Sequence, residues 1–92
     1  MNVADTIRAK LTAALAPDAL SIEDESAKHA GHSGARPGGE THFRVHIVSA
    51  EFEGISRVER QRRIYAVLAD ELADRVHALA LTTLTPTEAA RR

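Results

Sequence analysis

The 92-residue chain contains no cysteine and no tryptophan. Without a thiol it forms no disulfide, runs no thiolate chemistry and binds no metal through sulfur of its own cysteines. A soft metal or an iron–sulfur cluster held by this chain must therefore take its thiolates from another molecule. Aromatic residues are scarce, only Phe43, Phe52 and Tyr65, so the core must be mostly Leu, Ile, Val and Ala. No apolar run approaches the ~20 residues that cross a bilayer. Residues 1–17 alternate polar and apolar positions without a continuous apolar stretch of signal-peptide type, and a cytoplasmic protein is the expectation. Net charge is −1, so no global field holds a polyanion, and any nucleic-acid affinity must rest on a local cluster. One domain over residues 1–92 with a modest core is expected at this length.

Familiar catalytic patterns are missing too. There is no nucleophile elbow, phosphate-binding glycine loop or helical zinc-protease pair. Asp24 and Glu25 are adjacent carboxylates, but neighbours on a strand point to opposite faces. They are read as strand-end solvation, and the chain as a non-enzyme.

What is present is regular. Asn2 can cap a first helix whose apolar positions Val3, Ile7, Leu11 and Leu15 recur every four residues. Pro17 ends it. Residues 19–24 alternate Leu20 and Ile22 with polar neighbours, as in a half-buried strand. Residues 26–40 hold four of the five glycines, Pro37, His29 and His32, and read as a long flexible loop. Residues 41–49 form the clearest strand, with Phe43, Val45 and Ile47 facing one way and His42, Arg44 and His46 the other. Ser56-Arg57-Val58-Glu59 fits a capping box opening a helix that runs to about Leu72, its stripe marked by Ile64, Leu68 and Leu72. A third strand spans 76–84, opened by Val76 and His77. Thr85-Pro86-Thr87-Glu88 starts another helix, of which residues 86–92 leave only a short stub that frays. The order is α-β-β-α-β. A right-handed crossover makes the second and third strands parallel, giving a two-layer α+β sandwich with a three-stranded mixed sheet.

Two groups of residues carry chemistry. Arg57, Arg60, Arg62 and Arg63 crowd the start of the long helix, while Asp70, Glu71 and Asp74 lie towards its end, an order opposed to the helix dipole. They read either as a solvated face or as a surface that meets a partner. The second group is the histidines. His42 and His46 read as exposed strand residues, His29 and His32 as an H-x-x-H in a flexible loop, and His77 on its own as a structural histidine.

Taken together, several segments resemble the BolA family. They are Asp24-Glu25-Ser26, the histidine-containing loop, Gly38-Gly39-Glu40-Thr41-His42-Phe43-Arg44-Val45 and the F-x-G-x-S-R-V-x-R pattern from Phe52 to Arg60. Leu68 to Leu72, Val76-His77-Ala78-Leu79-Ala80-Leu81 and Thr85-Pro86 complete the set. The likeness spans nearly the whole chain in order. It implies a class II KH-like fold and partnership with a monothiol glutaredoxin and glutathione around a shared two-iron iron–sulfur cluster. By position, His77 corresponds to the family's principal ligand, with His29 or His32 as the second. The absent cysteines then have a meaning: the partner supplies sulfur and this chain imidazole, as in mixed histidine–thiolate centres.

The resemblance also implies an alternative, a DNA-binding transcriptional regulator of cell shape and stress response acting through Arg57, Arg60, Arg62 and Arg63. In the helix, Gln61 stands where the family commonly has histidine. The G-x-x-G clamp of a KH domain is missing where it belongs, since Gly31-His32-Ser33-Gly34 lies between two strands. DNA binding by those arginines is expected to be weak, non-specific and steeply salt-dependent.

Overall fold

The structure, a computed structural model, describes residues 2–25 and 41–91. Helix α1 spans Val3–Leu15, with the Asn2 side chain accepting from the Asp5 N–H at 2.8 Å. Its four-residue period buries Ile7, Leu11 and Leu15. The helix stops at Ala16, which takes a left-handed conformation (φ 42°) and returns its N–H to the Thr12 carbonyl. Pro17 then prevents continuation.

Strand β1 (Ala19–Asp24) runs antiparallel to β2 (His42–Val48), with Ile22 opposite Val45. The 3-10 turn at Ala50–Phe52 seats Phe52 in the core. Helix α2 covers Arg57–Val67 and a short α3 follows at Ala69–Ala73. Strand β3 (Ala78–Leu84) lies parallel to β2, and α4 occupies Pro86–Ala90. The sheet order is β1-β2-β3. Phe43, Val45 and Ile47 of β2 pack with Ile7, Leu11 and Leu15 of α1, Ile64 of α2, and Phe52, Leu68 and Val76 in one buried cluster. The α+β architecture and the mixed three-stranded sheet are those expected from the sequence.

Three local expectations change. The capping box is only half formed at Ser56, whose hydroxyl accepts from the Glu59 N–H at 3.2 Å; the Glu59 carboxylate turns to Arg62 instead. A complete box forms at Thr85 and Glu88. The long helix breaks at Leu68, a 1% exposed core residue lying outside the helical region (φ −102°, ψ 20°). The acids beyond the break, Asp70 and Glu71, meet Lys10 of α1 at 3.7 and 2.8 Å. Those contacts offset the unfavourable charge order. Lys10 gains too: its hydrogen bond to Glu71 raises its pKa. Finally, β3 begins at Ala78, so His77 precedes the strand rather than opening it.

Backbone partners define the outer edge of β3. The Ala78 N–H donates to the Thr41 carbonyl, and the Leu84 carbonyl accepts from the Ser49 N–H. Even-numbered positions therefore turn towards β2, and alternation sends the backbone groups of Leu79, Leu81 and Thr83 outward. Arg60 Nη1 donates to the Thr83 carbonyl at 3.1 Å.

Candidate metal centre and basic helix

Two parallel strands that start side by side bring their leading residues together. His42 is the first residue of β2 and pairs with Ala78, so His77, one residue earlier, lies diagonal to it. The two imidazoles stand 5.8 Å apart between ring centroids, inclined at 47°. His42 is 7% exposed, whereas His77 is open to solvent. The expectation of an exposed His42 is thus corrected. Alternation predicted which sheet face it occupies, but its ring is buried there, with Nδ1 2.8 Å from Thr41 Oγ1. His46, further along that face, is half-buried. His29 and His32 lie outside the described residues.

Backbone and hydroxyl contacts hold the pair. The Thr41 carbonyl accepts the His77 N–H at 2.6 Å and the Ala78 N–H at 3.1 Å. Thr41 Oγ1 lies 2.8 Å from His42 Nδ1. The His42 carbonyl in turn accepts the Glu25 N–H at 2.7 Å. Glu25 is 9% exposed, and its carboxylate accepts from Arg44 Nε at 3.1 Å. Strand-end solvation was therefore the wrong account of Glu25. A shallow depression beside the pair is lined by Glu25, His42, Arg44, Ala78 and Ala80.

Neutral imidazole nitrogens suit iron, zinc, copper and nickel. Two rings on one such metal, each about 2.0–2.1 Å from it through nitrogen, place their centroids roughly 5–6 Å apart at ordinary coordination angles. The observed separation fits. The described residues contain no group of three or more histidine, cysteine, aspartate or glutamate side chains able to hold a metal. Among the described residues, the His42–His77 pair would offer two nitrogen donors to such a metal, and the remaining donors would have to come from elsewhere.

The arginines divide differently from the sequence expectation. Arg60 is 6% exposed. Its Nε donates to the Ile55 carbonyl at 2.8 Å, its Nη1 to the Thr83 carbonyl and to Glu88 Oε1 at 2.7 Å, and its guanidinium lies 5.7 Å from the Phe52 ring centroid. The Arg60 hydrogen bond, followed by the Thr85 backbone N–H, holds the Glu88 carboxyl down at about 2 from its ordinary 4.5. These contacts take Arg60 off the surface available to a partner, a correction to its grouping with the exposed arginines. They also anchor α4, which was expected to fray. Arg57, Arg62 and Arg63 remain exposed on α2, near the exposed apolar side chains Val58 and Tyr65.

Residues 11–88 match the family model described as BolA-like protein. This chain belongs to the BolA-like family. It is 51% identical over 82 residues to BolA-like protein 1 of Pongo abelii, covering 89% of this chain and 57% of that protein. The chain thus spans little more than half the length of that relative. It is also 43% identical over 88 residues to a Haemophilus influenzae protein named DNA-binding transcriptional regulator BolA, covering 96% and 82% of the two chains. Among solved structures, BolA1 from Arabidopsis thaliana superposes with a TM-score of 0.86 at 46% identity, covering 96% of each chain. The BolA-like fold thus agrees with the KH-like expectation. His42 is the candidate ring that the sequence pattern did not single out. The signal lay in the parallel arrangement itself, because both strands begin at a histidine or just after one.

Proposed function

We propose that this BolA-like protein is a non-enzymatic partner of a monothiol glutaredoxin, meeting it and its glutathione around a shared two-iron iron–sulfur cluster in iron–sulfur and iron homeostasis. The observation that carries this reading is the His42–His77 pair, two imidazoles close enough to address one metal in a chain without a thiol. The cluster supplies open iron positions, and thiolates of the partner and of glutathione complete the coordination. On this side His77, exposed at the rim, is the leading nitrogen ligand. The second nitrogen comes from His42, or from His29 or His32 of the loop. Nothing else in the reading requires this chain to move protons or substrate.

The test mixes the protein with a cluster-loaded monothiol glutaredoxin and follows visible absorption and circular dichroism. The His77→Ala variant is expected to abolish the new spectrum. Comparing His42→Ala with a His29→Ala/His32→Ala double variant identifies the second ligand, which is whichever variant changes the spectrum. Unchanged spectra with His77→Ala would sink the reading.

A second reading, DNA-binding regulation, is favoured by the likeness to the Haemophilus influenzae DNA-binding transcriptional regulator BolA and by the exposed Arg57, Arg62 and Arg63 on one helix. Three cations without base-reading geometry support phosphate contact rather than sequence choice. A clear preference for one promoter duplex over a scrambled one at physiological salt would raise this reading above the first.

A further inference from the structure

Thr41 is a fully buried residue at the junction between the two histidines. Its carbonyl takes the backbone N–H of His77 at 2.6 Å, and its hydroxyl sits 2.8 Å from Nδ1 of the His42 ring. A neutral imidazole carries one N–H and one lone pair, so the bond made by one nitrogen decides what the other offers. Metal-bound imidazoles generally donate their second ring N–H to an oxygen nearby, which fixes both tautomer and orientation. The threonine hydroxyl stands where that oxygen belongs.

We propose that Thr41 is the positioning residue of the imidazole pair: its hydroxyl accepts the Nδ1–H of His42, so Nε2 is the lone pair offered to metal, while its carbonyl fixes the backbone from which His77 projects. The inference rests on the metal-binding reading above, with His42 as a nitrogen donor. It adds which nitrogen binds and which residue makes it available. Thr41 touches neither metal nor partner in this account and acts only through the two histidines. The opposite arrangement, with the hydroxyl donating to Nδ1, would leave a proton on Nε2 and close the ring to metal.

The first measurement needs no variant. Imidazole ¹⁵N shifts of the full chain at neutral pH are expected to show His42 as the Nδ1–H tautomer; an Nε2–H tautomer overturns the proposal. The second measurement uses Zn²⁺ as probe in a His29→Ala/His32→Ala background, so that only His42 and His77 respond among these four rings. Thr41→Val keeps the shape and removes the hydroxyl. It is expected to mix the His42 tautomers and to weaken Zn²⁺ binding about 10- to 100-fold, whereas Thr41→Ser restores both within a few-fold. Melting curves accompany each variant. If valine leaves tautomer and affinity as they were, the positioning role is wrong while the two-histidine site stands. If the parent protein takes up no Zn²⁺ and forms no cluster complex with a glutaredoxin, the metal-binding reading falls and carries this inference with it.

Discussion

Arg60 shows how much one side chain can be misjudged when its neighbours share its charge. It sits four residues before Ile64 and eight before Leu68, on the stripe that α2 turns to the core. That spacing was visible in the sequence, but four arginines in seven residues drew it into a surface cluster. What the sequence could not show is that Ile55, Thr83 and Glu88 converge on it from three other segments. Arg60→Met keeps the stem over Phe52 and removes the guanidinium, leaving the Ile55 and Thr83 carbonyls without that donor. It is expected to cost about 2–4 kcal/mol, measured as a lower urea midpoint at unchanged slope. Glu88 gives the matching pH effect. Its carboxyl is lowered in the folded state, so its contribution is complete above the ordinary carboxylate range. That contribution is lost as pH falls from about 4.5 to about 2. Acid unfolding of Glu88→Gln followed by circular dichroism is expected to be less steep across that window than that of the parent.

At the scale of elements, helix starts were more legible than helix ends. Asn2, Ser56 and Thr85 each cap the helix assigned to them, because a side-chain oxygen beside free N–H groups is a local interaction. Ends depend on what lies beyond the helix. Nothing in the sequence around Leu68 marks a break, and the residue at the break is one of the core. At the end of α1 an alanine occupies the left-handed position where glycine is favoured. Ala16→Gly is therefore expected to stabilise the protein by about 0.5–1 kcal/mol, read as a higher melting temperature. The strands were read well from alternation, yet alternation reports only faces. It has no information on which strand starts beside which, so His42 was assigned to solvent while its true neighbour lay 35 positions away in the sequence.

For the whole molecule, element order and the right-handed crossover rule sufficed to give the sheet. The candidate site was half legible: His77 from the sequence, His42 only from the folded arrangement, with His29 and His32 outside the described residues. The basic helix was read too generously. With Arg60 committed internally, three exposed arginines remain on α2. Duplex binding is then expected to lose affinity with a slope of log K against log salt no steeper than about −3. Fluorescence anisotropy across a salt series measures it, and a much steeper slope would point to phosphate contacts elsewhere on the surface.

The outer side of β3 carries one more consequence. A bare strand border invites a second molecule to zip onto it. Here a guanidinium is seated on the last outward carbonyl, that of Thr83, which leaves, among the described residues, the backbone around Leu79 and Leu81 without this cover. Two residues make a poor template for lengthening a sheet from one copy to the next. The arginine that fastens the final helix thereby also closes one end of the sheet's open border.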